Sequence, residues 1–88
     1  MKEETVKIIN KTGLHARPAT IAVSAANRFA CEVFLTYEGR TVNMKSIMSV
    51  MSLLAPADAE LKIGCDGDDE EEALEGILEV LRKQEIIA

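Results

Sequence analysis

The spacing of apolar residues switches repeatedly between two and about 3.6 along a chain of only 88 residues, and that alternation limits the possible folds severely. Val6 and Ile8 alternate with Thr5 and Lys7 over residues 4–9, which predicts a strand, and Asn10-Lys11-Thr12-Gly13 follows as a turn. From Ala16, the residues Ala19, Ala22, Val23 and Ala26 return on one helical face that runs to about Arg28. Pro18 falls in the first turn, where a missing N–H costs nothing. Residues 31–37 alternate again through Cys31, Val33, Leu35 and Tyr37, and Glu38-Gly39 closes a hairpin onto a short strand at 40–43. Ser46 opens a short helix whose expected buried stripe is Ile47, Val50, Met51 and Leu54, with Pro56 ending it. Leu61, Ile63 and Cys65 mark a last strand. Ala73, Leu74, Ile77, Leu78 and Leu81 then make an amphipathic helix, for which Asp68 or Asp69 is the expected cap.

The order is therefore β-α-β-β-α-β-α. Three helices, each with one apolar stripe, can bury those stripes together by lying on one face of an antiparallel sheet. The expected class is α+β, a two-layer α/β sandwich formed by residues 1–88 as a single domain. No apolar run approaches the ~18–20 residues that span a bilayer, and the polar start Met1-Lys2-Glu3-Glu4 is unlike a secretory signal. A cytoplasmic protein without membrane insertion is expected.

Charge narrows the choice of partner. The formal net charge is −5, which disfavours a nucleic-acid binder, and one Tyr with two Phe supplies no platform for stacking bases. The balance is uneven. Residues 1–45 carry seven basic and four acidic side chains, a net of +3, whereas residues 46–88 carry three basic and eleven acidic, a net of −8. An anionic ligand or acidic partner is thus expected near the N-terminal half. The acidic run Asp66-Gly67-Asp68-Asp69-Glu70-Glu71-Glu72 reads as a solvated loop and a helix start suited to the helix dipole. Cys31 and Cys65 lie 34 positions apart, without CxxC spacing and with one histidine in the whole chain, so they read as buried free thiols. No metal and no cofactor is expected.

That single histidine, His15, falls between the first turn and the first helix, within Gly13-Leu14-His15-Ala16-Arg17-Pro18-Ala19. A helix start offers unpaired N–H groups and a partial positive charge. That field, with Arg17 nearby, favours a neutral, nucleophilic imidazole nitrogen. Were the ring to acquire a phosphoryl group, the same N–H groups and the Arg17 guanidinium would receive the new charge. Because Pro18 has no N–H, the donors would be chiefly Ala16 and Arg17. There is no candidate triad partner and no second general acid or base near His15, so an enzyme in the usual sense is not expected.

The segment around His15 resembles the active-site motif of HPr, the histidine-containing phosphocarrier family of the phosphoenolpyruvate-dependent sugar phosphotransferase system. A second segment, Val42-Asn43-Met44-Lys45-Ser46-Ile47-Met48-Ser49-Val50-Met51-Ser52-Leu53, resembles that family's regulatory serine region in its Gram-positive form. The spacing of the two motifs and the order of elements agree over essentially the whole chain. The resemblance implies a sheet in the order 1-4-2-3. It implies that His15 accepts phosphate on Nδ1 from phosphorylated enzyme I and passes it to the IIA domain of a sugar permease, with Arg17 stabilising the phosphoryl oxygens. The residues alone do not choose between Nδ1 and Nε2. It also implies that HPr kinase/phosphorylase modifies Ser46, that the product binds catabolite control protein A in carbon catabolite repression, and that transfer at His15 then slows. One physical route is repulsion of acidic partner groups otherwise attracted by Arg17 and Lys45.

Around the helical wheel, Met48 lies about 60° beyond Met51, which places it at the edge of the core, extending an apolar patch into solvent. Methionine repacks easily against different partners. Ala16, Thr20, Ile47, Met48 and Met51 are accordingly the candidate docking patch of a monomeric carrier. Ser49, Leu54 and Asp58 stand where glycine is common in the family. Two other functions compete with the carrier: a purely regulatory relative working through Ser46 alone, which the presence of His15 disfavours, and an unrelated binding module on a similar fold.

Overall fold

The computed structural model describes residues 1–88. Its elements follow in the expected order: β1 (Lys2–Lys7), α1 (Ala16–Ala26), β2 (Glu32–Tyr37), β3 (Arg40–Asn43), α2 (Ile47–Ser52), β4 (Glu60–Asp66) and α3 (Glu70–Lys83). The four strands form one antiparallel sheet in the order β1-β4-β2-β3. In its centre Ile63 of β4 sits opposite Glu4 on β1 and Leu35 on β2, while Leu35 faces Val42 of β3. This register brings Val6, Leu61, Ile63, Cys65, Val33 and Leu35 to one face, all buried. Alternation with period two makes the other face polar. The helices cover the apolar face: α1 packs on α2 and α3, and α3 packs on β1 and β4. None of them is long and apolar enough to cross a membrane.

The hairpin forms where Glu38 and Gly39 both take positive φ, 48° and 82°. That is the backbone twist a two-residue turn between antiparallel strands requires. The first strand starts at Lys2, two residues before the apolar alternation becomes visible. The chain's last residues were not legible as structure. Ile86 and Ile87 are both buried, Ile9 N–H donates to the Ile86 carbonyl at 2.9 Å, and Ala88 N–H donates to that of Lys7 at 3.1 Å. The C-terminus thereby covers the end of the β1 edge beside Ile8.

The second helix corrects several expectations. It stops at Ser52, and Leu53, not Leu54, turns into the core: Leu53 is 4% exposed and Leu54 81%. The reason is a reversal of the backbone at Leu54, whose φ of 53° ends the helical periodicity one residue before the predicted stripe does. Ile47, expected in the buried stripe, is 43% exposed, and Met48 at 83% extends the apolar patch into solvent as expected but stands clear of the core rather than at its edge. In so short a helix, Val50 alone is fully buried.

The N-terminus of α3 supplies a further correction. Asp69 occupies the cap position, yet its carboxylate makes no cap bond. It accepts instead from Ala30 N–H at 2.9 Å and Cys31 N–H at 3.0 Å, tying α3 to the entry of β2. Glu70 accepts from Gly67 N–H at 3.1 Å. The acidic run is thus partly structural. Both cysteines are free and buried, and burial, with Asp69 and Cys65 beside it, pushes the Cys31 thiol up to about 12.

Candidate functional site

Gly13 sets the position of His15. Its φ is 70°, and a Cβ there would lie 2.8 Å from Pro56 Cα and closer still to the Ala55 carbonyl oxygen. Leu14 N–H donates to that same carbonyl at 2.9 Å, and the Leu14 side chain is buried. The segment before His15 is therefore pinned to the loop after α2, and only glycine allows so close an approach. His15 N–H donates to the Gly13 carbonyl at 2.9 Å.

His15 is the N-cap of α1, with extended backbone, and its carbonyl receives the helix's first bond from Ala19 N–H at 2.8 Å. The imidazole makes no cap bond and is exposed. The amides of Ala16 and Arg17 have no backbone acceptor, and Pro18 has none to offer. Two N–H groups thus stand free in the first turn beside the ring, in the positive field of an eleven-residue helix. Beside the ring is a hollow of about 270 Å³ lined by Thr12, Leu14, His15, Met51, Leu54, Ala55 and Pro56. Its walls are largely apolar, and His15 is its one titratable group.

Arg17 is exposed and lines a second hollow, of about 280 Å³, with Asn10, Thr12, Pro18, Ile21, Gln84 and Ile86. Thr12 borders both hollows, so they are adjacent, and Arg17 forms no ion pair in this structure. A long guanidinium arm with no fixed carboxylate partner is free to turn toward an anion on the ring. Of the candidate docking residues, Ala16 and Thr20 lie one turn apart on α1 and are exposed, Thr20 Oγ1 donating to the Ala16 carbonyl at 2.9 Å. Ile47, Met48 and Met51 lie on α2, which packs beside α1, and Met51 is brought to the hollow at His15.

Ser46 is the N-cap of α2 and its Oγ accepts from Ser49 N–H at 3.2 Å. Lys45 does not project as a free cation: its ammonium donates to the Phe29 carbonyl at 2.6 Å, and its own carbonyl accepts from Asn27 Nδ2 at 3.1 Å. The polar ends of α1 and α2 are thereby fastened to each other. Leu14, Leu54, Ala55 and Pro56 were not anticipated at the site. The signal available for them was Gly13, a turn glycine whose close neighbour could not be named without the tertiary contact.

Set beside known proteins, the chain matches the family model described as the PTS HPr component phosphorylation site over residues 2–83. It superimposes on the histidine-containing phosphocarrier protein of Mycoplasma with a TM-score of 0.94 at 30% identity, covering 98% of each chain. The HPr protein of Thermoanaerobacter tengcongensis is similar at TM-score 0.90 and 42% identity, over 96% of this chain and 94% of that one. Crh of Bacillus subtilis, described as a catabolite-repression protein and solved as a domain-swapped dimer, is similar at TM-score 0.74 and 43% identity, over 96% and 97%. A match across nearly every residue, with the strand order of the fold and a histidine free at the start of the first helix, places this chain in the HPr family of phosphotransferase-system phosphocarriers.

Proposed function

We propose that His15 is the phosphoryl acceptor of this carrier. What supports it above all is an exposed imidazole at the N-cap of α1 beside the two unpaired amides of Ala16 and Arg17. Phosphorylated enzyme I would be the donor. A ring nitrogen of His15, Nδ1 by analogy with the family, attacks phosphorus as the donor's N–P bond breaks, and the donor imidazole leaves with its electron pair. The Ala16 and Arg17 amides and the Arg17 guanidinium then hold the phosphoryl oxygens, which supplies charge stabilisation without a metal ligand set. In the second step the group passes to a histidine on the IIA domain of a sugar permease, and His15 returns neutral. The apolar surface of Ala16, Thr20, Ile47, Met48 and Met51 serves as the docking patch for both partners.

Ser46 is the regulatory position in this reading, modified by HPr kinase/phosphorylase and then recognised by catabolite control protein A. A phosphate on its Oγ would replace a cap bond at the positive end of α2 rather than break into the core. The protein is a carrier located in the cytoplasm and needs no cofactor of its own.

Intact mass after incubation with phosphoenolpyruvate and enzyme I tests the first part. Wild type should gain one acid-labile phosphate, and His15→Ala none. Modification by the ATP-dependent kinase at Ser46 with no transfer to His15 would instead make the protein a regulator like the Crh-type relative.

A further inference from the structure

Leu54 combines two unfavourable features that nothing inside the fold repays. Its backbone stands at φ 53°, a left-handed conformation in which a bulky side chain is strained. Its side chain is also 81% exposed. Asp58, in the same loop at φ 70°, is a residue type that tolerates this conformation, and its carboxylate lies 4.0 Å from Lys7 Nζ. Leucine has no such recourse. The reversal at residue 54 is needed to bring the Ala55 carbonyl under Leu14 N–H, but glycine would make it without strain. The conformation is explained by the fold, whereas the side chain is not.

Leu54 lines the hollow at His15 together with Met51, Thr12 and Leu14. The hollow is continuous with the exposed apolar surface of α2 through Met51, and it contains no charged group except the imidazole when protonated. Building on the reading of His15 as acceptor, we propose that Leu54 is a specificity residue for the phosphoryl donor. Its side chain forms the wall on which an apolar side chain beside the donor's phosphohistidine packs as the two rings approach. A charged partner group placed there would lose its water against Leu54 and Met51 and find no counter-charge, while an apolar one is favoured by both. Closing the hollow also keeps water from the phosphorus in flight. Leu54 follows the C-terminal end of α2 and lines the hollow at His15, whereas Ser46 caps the other end. The wall therefore meets the donor that approaches the ring, and the acceptor that later docks on the same patch, rather than a kinase acting at Ser46.

The test uses three full-length variants in steady-state transfer from enzyme I charged with phosphoenolpyruvate, with carrier concentration varied. Leu54→Gly and Leu54→Asn keep the left-handed turn and remove the apolar wall, whereas Leu54→Met retains it. The expected result is a KM roughly ten-fold higher for the Gly and Asn variants at unchanged kcat, the size of effect a central apolar contact has on association. Leu54→Met should stay within about two-fold of wild type, as volume-conserving apolar exchanges do. The thermal midpoint of Leu54→Gly should equal or exceed that of wild type, which separates the KM effect from a folding defect. Wild-type KM in the Gly and Asn variants, or a KM in Leu54→Met raised as far as theirs, overturns the proposal and leaves His15 as acceptor intact. A wild-type protein that takes no phosphate from enzyme I overturns the acceptor reading itself, and this inference with it.

Discussion

Asp69 uses both carboxylate oxygens on one short stretch of backbone, the amides of Ala30 and Cys31 where β2 begins. Those bonds, the Ala30 amide first and the Cys31 thiol next, hold its carboxyl below the usual carboxylate range, and the Gly67 amide does the same for Glu70. The sign follows from linkage. Below the ordinary carboxylate value of about 3.9 the unfolded chain takes up protons that the folded chain still refuses, so folding loses stability there. Stability from these two groups is complete above that value and disappears as pH falls through their lowered folded values. Thermal midpoints by circular dichroism should therefore fall steeply in wild type below about pH 4, and less steeply in Asp69→Asn, which starts lower at neutral pH because one amide loses its charged acceptor. Equal acid slopes for the two proteins would show that Asp69 does not act as an ionised clamp. The sequence offered only a carboxylate at a helix start, for which capping is the local expectation. A side chain that reaches 39 positions back along the chain leaves no local trace.

At the scale of an element, α2 shows what periodicity can and cannot say. The 3.6-residue spacing identified Val50 and Met51 on the inward side, but six residues make too short a helix to carry a stripe to Leu54. Where a helix stops is decided by backbone reversal, and a leucine gives no warning of positive φ. The start was easier to read, because Ser46 is a strong cap residue and occupies that place with its Oγ on Ser49 N–H. Replacing it by alanine leaves that amide without its side-chain partner and should lower stability by about 1 kcal/mol in urea titration. Aspartate also caps well and suits the helix dipole, so Ser46→Asp should unfold at or above the wild-type midpoint. If Ser46→Asp were as unstable as Ser46→Ala, a negative group at this position would not be structurally accepted, and Ser46 would be a poor place for a regulatory phosphate.

Across the whole molecule, the layers were legible because each apolar stripe needs a partner and the sheet offers one apolar face. Strand order came from family resemblance, and the C-terminal pairing of Ile86–Ala88 with β1 was missed because two isoleucines are too few to show a period. The charge asymmetry became meaningful only when placed in space. Asp69, at the acidic start of α3, grips Ala30 and Cys31 just beyond the C-terminal end of α1, while His15 stands at its N-terminal end. An eleven-residue helix is about 16 Å long, more than a Debye length at physiological salt, so the acidic end scarcely weakens the positive field at His15. Neither of the two cations first assigned to attracting an acidic partner has an ion-pair partner, but they differ in position and freedom. The Arg17 side chain follows His15 in the first turn of α1 and makes no hydrogen bond, whereas the Lys45 ammonium keeps its charge while tied to the Phe29 carbonyl beyond the other end of that helix. Transfer from enzyme I at limiting carrier should consequently slow between about 0.05 and 0.5 M salt, as steered association does. Arg17→Gln should flatten that dependence besides lowering the rate. Lys45→Gln should flatten it less, because that charge lies at the far end of α1 from His15, and should also lower the thermal midpoint, since it removes a tie between α1 and α2. A salt slope lost in Lys45→Gln and kept in Arg17→Gln would exchange the two roles and make Lys45 the cation that steers the partner.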